Sequence, residues 1–151
     1  MTFDLDRFTQ AQEGPAGFAR ALAELDAGAK RSHWIWYIFP QLAGLGSSPM
    51  AEMYGLRGVD EATAYLRAPV LRDRLLTAMH AVCAHSASLQ KLMGSEIDVL
   101  KLVSSMTLFR DVARRVKDDE VAAAADDILQ AAERQGFQEC EFTKTAVRVP
   151  R

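Results

Sequence analysis

With 151 residues and 16.7 kDa, 49% of them apolar and 25% charged, the chain has the size and composition of one globular domain rather than a disordered segment. Its 18 basic and 20 acidic side chains leave a net charge of −2, which excludes a large uniform basic field and makes nucleic acid a disfavoured partner. No apolar run near the start approaches the roughly 20 residues that span a bilayer, and Asp4 and Asp6 stand where a secretory leader would carry bases, so a cytoplasmic protein without a membrane partner is expected.

In chain order, Asp4 is placed to cap a first helix that carries Leu5 and Phe8 inward and stops at Gly14. Pro15 is placed to start a second, with Phe18, Ala21, Leu22 and Leu25 on one face and Gly28 at its end. Lys30 and Arg31 then lead into His33-Trp34-Ile35-Trp36-Tyr37-Ile38-Phe39-Pro40-Gln41. Residues 41–59 form a long Gly/Ser/Pro-rich connection, predicted to hold one short helical turn from Pro49 to Tyr54. Asp60 is a natural cap for a helix to Arg67 with Val59, Thr63 and Leu66 inward. Pro69 starts the next, whose apolar face is Val70, Leu71, Leu75, Ala78, Met79 and Val82. Ser86 to Gly94 is a short segment, Ser95 or Asp98 caps a helix reaching Arg115, and Asp118 opens an alanine-rich helix ended by Gly136.

The predicted fold is therefore all-α: a single compact bundle of six or seven helices over residues 1–136 with one long loop. Residues 137–151 hold β-branched and aromatic side chains with no strand to pair with. They are expected to form a tail, partly disordered or briefly extended.

The aromatic block holds four of the twelve aromatic side chains, including both tryptophans, in six residues. It is apolar all round as a helix or a strand, so it demands burial, and one reading is simply core. A second reading starts from its polar tips. Two indole N–H groups, a phenol, His33 and Gln41 need partners if buried, and such groups beside apolar walls are the material of a ligand pocket. The helix from Asp98 has an apolar face of Val99, Leu102, Val103, Met106 and Phe109. Its other side carries Lys101, Ser104, Ser105, Thr107 and Asp111 among leucines, and small hydroxyls there predict a face covered by protein or ligand. Lys101 can meet Ser104 and Ser105 at three and four residues' spacing, a pairing that also fits simple helix packing.

Other chemistries find less. The two cysteines, Cys83 and Cys140, form no C-x-x-C and read as free thiols, Cys83 packed in an apolar helix. His80 and His85 are five apart and diverge on a helix, and no zinc spacing, P-loop or dinucleotide motif occurs, so no metal site is expected and no cofactor is indicated. Arg110, Arg114, Arg115 and Lys117 form the nearest approach to a basic patch, which a helix C-terminus explains by itself.

Arg31-Ser32-His33-Trp34-Ile35-Trp36-Tyr37-Ile38-Phe39-Pro40-Gln41-Leu42, with Gly44-Leu45-Gly46, Tyr54-Gly55 and Asp60-Glu61-Ala62, resembles the first signature of a small uncharacterised family found in bacteria and some fungi. Leu100-Lys101-Leu102 and Ser104-Ser105-Met106-Thr107-Leu108-Phe109 resemble its second signature, and the resemblance covers residues 3 to 130. It implies a helical fold and supplies no catalytic residues. Members sometimes carry a calpastatin-like label, but such inhibitors are extended chains, which dense aromatics and 49% apolar content argue against.

The two signatures coincide with the two unusual segments, which are expected to pack together around a pocket for a small anionic or nucleotide-like ligand. Trp34, Trp36 and Tyr54 would form its walls, and Lys30, Arg31 and Lys101 its charge. His33, Gln41, Ser104, Ser105 and Thr107 would supply hydrogen bonds, with His33 the best acid/base candidate if any catalysis occurs. The alternative is a non-enzymatic module that engages a partner protein through Gly44–Gly58 and the tail. Oligomeric state is left open.

Overall fold

A computed structural model describes residues 2–85 and 88–148, the last without its side chain. It is all-α. The described residues form ten helices: α1 (Asp6–Gln12), α2 (Phe18–Asp26), α3 (Ile35–Ile38), α4 (Pro49–Tyr54), α5 (Gly58–Arg67), α6 (Pro69–Cys83), α7 (Leu89–Met93), α8 (Glu96–Arg115), α9 (Asp119–Arg134) and α10 (Glu141–Arg148). The count exceeds the expected six or seven because the aromatic block, the segment before Gly94 and the tail each coil into a short helix of their own. The expectation for Ser86 and Ala87 lies outside the described residues, as does that for residues 149–151.

Helix α8 is the axis of the molecule. Every residue from Leu102 to Phe109 is buried, because α9, α5, α7, α10 and α3 pack around it. A stretch covered on all sides has no need of a charged face, which is why small hydroxyls stand among the leucines between Leu102 and Phe109. Ser95 caps it, its hydroxyl accepting the Asp98 N–H at 3.1 Å, and Asp118 caps α9 through the Val121 N–H. Pro49 and Pro69 open α4 and α6, as their fixed φ and missing N–H allow.

Several boundaries differ from expectation for tertiary reasons. Asp4 does not cap α1; Leu5 takes that place, and the Asp4 carbonyl accepts from the Arg7 guanidinium. α2 begins at Phe18 instead of near Pro15, because the chain folds back on α1 at Gly17, where a Cβ would lie 2.2 Å from the Gln12 carbonyl oxygen. Asp60 falls inside α5, and Glu61 reaches back to accept the Arg57 N–H at 2.8 Å. Val70 is exposed rather than inward. Cys83, also expected inward, is exposed at the end of α6, and both thiols are free.

The long loop is pinched shut at its base. Ala43 N–H donates to the Leu56 carbonyl at 2.8 Å and Leu56 N–H to the Gln41 carbonyl at 2.9 Å, making an isolated parallel bridge between Leu42 and Leu56. Gly55 lies against this crossing, where a Cβ would stand 2.7 Å from Ala43 Cα. Beneath it the Glu61 carboxylate, 1% exposed, receives the Arg7 guanidinium at 2.7 and 3.2 Å. The remaining Arg7 donors go to the carbonyls of Asp4, Met53 and Gly55. One buried ion pair thus ties α1, the end of α4 and α5 together.

Residues 141–148 of the tail are helical, not extended. Thr143 and Val147, four residues apart, lie on one face of α10 that docks on α8. Tertiary packing overrides the β-branched composition because no strand edge is on offer. Arg110, Arg114 and Arg115, read as a patch, are ion-paired with Asp126 and Glu139, with Asp126, and with Asp111 respectively.

Candidate functional site

The loop entering the aromatic block is built on one carboxylate. Glu24, on α2, accepts the backbone N–H groups of Arg31 and Ser32 at 2.8 and 2.9 Å, the Ser32 hydroxyl at 2.6 Å and the Trp34 indole N–H at 2.9 Å. Partial burial pushes this carboxyl up, but the four donors outweigh it and hold its pKa at about 2. Trp34 is thereby fixed and wholly buried.

The side chain of Lys30, adjoining, is nearly buried too. Its ammonium lies 2.8 Å from Asp98 of α8 and 5.1 Å from the Trp34 ring centroid, and donates to the Ser32 carbonyl at 2.6 Å. Its backbone N–H donates to the Leu92 carbonyl at 2.7 Å. Lys30 and Trp34 therefore clamp the first segment to α7 and α8, with their polar groups already engaged.

Trp36 and Lys101 differ. The Lys101 ammonium sits 4.7 Å from the Trp36 ring centroid, within cation–π range, and 3.7 Å from Asp98. Asp98 is therefore shared by two ammonium groups, and the three side chains together keep one uncompensated positive charge. The Trp36 indole N–H is buried and donates to nothing among the described residues, and the same is true of the Ser105 hydroxyl one turn beyond Lys101. Both are unmet hydrogen-bonding groups, as are Arg110 Nε and Asp111 Oδ2 further along α8, which lie in ion pairs instead.

The other expected residues are used elsewhere. The Ser104 hydroxyl lies 3.1 Å from that of Thr143 on α10, and Thr107 donates back to the Val103 carbonyl at 2.8 Å. Gln41 is buried and donates to the Leu45 carbonyl at 3.3 Å. Tyr54 packs on Phe8 and Tyr37, with centroids 5.8 and 5.3 Å away. Tyr37 donates to the Ala16 carbonyl at 2.5 Å, and its phenol is pushed up by burial and by the nearby Tyr54. Arg31 and His33 are exposed; among the described residues their side chains meet no partner, and no described contact joins His33 to Lys101.

The structure thus joins the two unusual segments, through Lys30 with Asp98 and Trp36 with Lys101, without gathering all eleven residues around one cavity. Four clefts are described, and none of them is lined by the eleven. The largest anchors outside the expected set are Glu24, Asp98 and the Arg7–Glu61 pair. Asp98 was visible only as a capping candidate, and Glu61 only within a signature. The described residues offer no cluster of three metal-ligating side chains, and no helix among them is long and apolar enough to cross a membrane.

Comparison with known proteins adds a relationship without an activity. Residues 2–136 match a family model described as a protein of unknown function, DUF1810. The crystal structure of the conserved hypothetical protein Rv1873 from Mycobacterium tuberculosis is 39% identical, with a TM-score of 0.79, over 98% of this chain and 99% of that one. No curated protein matches.

Proposed function

The chain belongs to the DUF1810 family of proteins of unknown function, and from that premise we propose that it binds a small anionic, nucleotide-like ligand at the Trp36–Lys101 site. The observation that carries this reading is a buried indole N–H without an acceptor, beside a lysine whose charge is only half compensated. A phosphate or carboxylate would answer the ammonium, and a flat ring would extend the stack that Lys101 and Trp36 begin. Exposed Arg31 adds charge at the edge of the same segment. Lys30, Trp34, Gln41 and Tyr54 act as the supports of the site. Binding rather than reaction is the reading, because His33 meets none of these groups.

Thermal-shift measurement against AMP and against inorganic phosphate tests it. A ligand at a hundred times its Kd adds about 2.7 kcal/mol to stability, which at about 2–4 °C per kcal/mol for a chain of this length is a rise of roughly 5–11 °C. Lys101→Met and Trp36→Ala should each abolish the rise while the far-ultraviolet circular dichroism is retained. No rise with millimolar AMP or phosphate, or a rise surviving both substitutions, refutes the site.

A protein partner is the second reading. Ile97 and Leu100, 65% and 47% exposed, stand on α8 beside Lys101, and Phe142 is 49% exposed on α10. Exposed apolar side chains of this size suit an interface, Ile97 and Leu100 on α8 and Phe142 beside Gly44 of the long loop.

A further inference from the structure

The last helix has the attributes of a latch. Only two described side chains of α10, Thr143 and Val147, are buried. Its polar fastenings to the α8 side are Thr143 to the Ser104 hydroxyl, Arg110 to Glu139 just before the helix, and Arg115 to the Val147 carbonyl, and its apolar contacts are Val147 and Ala146 against the core, a light packing on α5 and the Phe142 ring beside Gly44. On the α9 side the packing is open, and a cleft of about 270 Å³ runs under the entry to the helix. Val103, Leu129, Ala132 and Phe137 line its floor, and Glu139, Glu141 and Lys144 stand at its edge. Residues 141–148 also lie beyond the span matched by the family model.

We propose that α10 is a latch closed over the hydroxyl face of α8, which opens by local unfolding while the other helices stay folded. A helix of eight residues cannot hold itself in water, so it persists only while docked. Two buried side chains and three polar fastenings are a small return for ordering that length of chain. Opening frees Ser104 and joins the apolar floor into one groove between α8 and α9, a groove that α10 itself otherwise fills. The latch goes beyond the ligand reading and stands without it, since its fastenings do not involve Trp36 or Lys101.

Hydrogen exchange of the full chain, read by mass spectrometry, tests the proposal. Local opening makes the amides of residues 141–148 exchange at least about a hundredfold faster than those at the centre of α8, yet measurably slower than in a free peptide, at a rate insensitive to low urea. Thr143→Val keeps the packing and removes the Ser104 partner. It should raise α10 exchange about fivefold, the effect of one lost hydrogen bond, and leave α8 unchanged. Exchange of α10 in step with α8 and equally urea-dependent would overturn the latch, as would α10 amides as fast as a free peptide. A Thr143→Val effect that spreads equally to α8 would do so too.

Discussion

Replacing Glu61 by alanine puts the Arg7–Glu61 anchor to a quantitative test. The carboxylate is 1% exposed and accepts three hydrogen bonds, two from Arg7 and one from the Arg57 N–H. Its loss leaves a guanidinium with a side chain only 13% exposed and no counter-charge among the groups that hold it. Breaking one partner of a buried pair costs about 3–5 kcal/mol, and the residual exposure of Arg7 places this case at about 3–4 kcal/mol. At about 2–4 °C per kcal/mol the midpoint should fall by roughly 6–16 °C. Urea titration followed by circular dichroism should show the midpoint falling with the slope unchanged. The companion Arg7→Met/Glu61→Leu protein removes both charges, so it should recover most of the loss, with a coupling of at least about 2 kcal/mol. A loss below about 1 kcal/mol for Glu61→Ala, or strict additivity of Arg7→Met and Glu61→Leu each measured singly, would refute the assignment of this pair as the tie between α1, α4 and α5.

Two further outcomes follow from the aromatic block. Glu24 is held at about 2 against an ordinary 4.5, so the stability it contributes is complete above pH 4.5 and is lost as pH falls toward 2. Wild type should therefore exceed Glu24→Gln by about 1–2 kcal/mol at pH 7, and urea titrations at successive pH values should show that gap closing between pH 4.5 and 2; a gap independent of pH would count against it. The two tryptophans should separate. Trp34→Phe loses the bond to Glu24 and buried volume, for about 2–3 kcal/mol, whereas Trp36→Phe changes stability by less than about 1 kcal/mol because its N–H bonds to nothing. Equal costs in thermal melts would erase the distinction between support and site.

The sequence by itself determined the local events. Helix class, Pro49 and Pro69 as starts, Asp118 as a cap, the choice of Ser95 or Asp98 for α8 and the burial of the aromatic block all depend on neighbours within a few residues, and periodicity and capping chemistry record such neighbours directly. The hydroxyl side of α8 was legible as a covered face, because a solvated one would carry charge. Tertiary structure alone decided what covers it. The Ser104–Thr143 and Lys30–Asp98 contacts join residues 39 and 68 positions apart, and Glu61 meets Arg7 across 54. It likewise turned a β-branched tail into α10 and divided the signature residues between supports such as Trp34 and the unmet donor of Trp36. Such pairings are set by the packing of whole helices, and nothing within a turn of either partner encodes them.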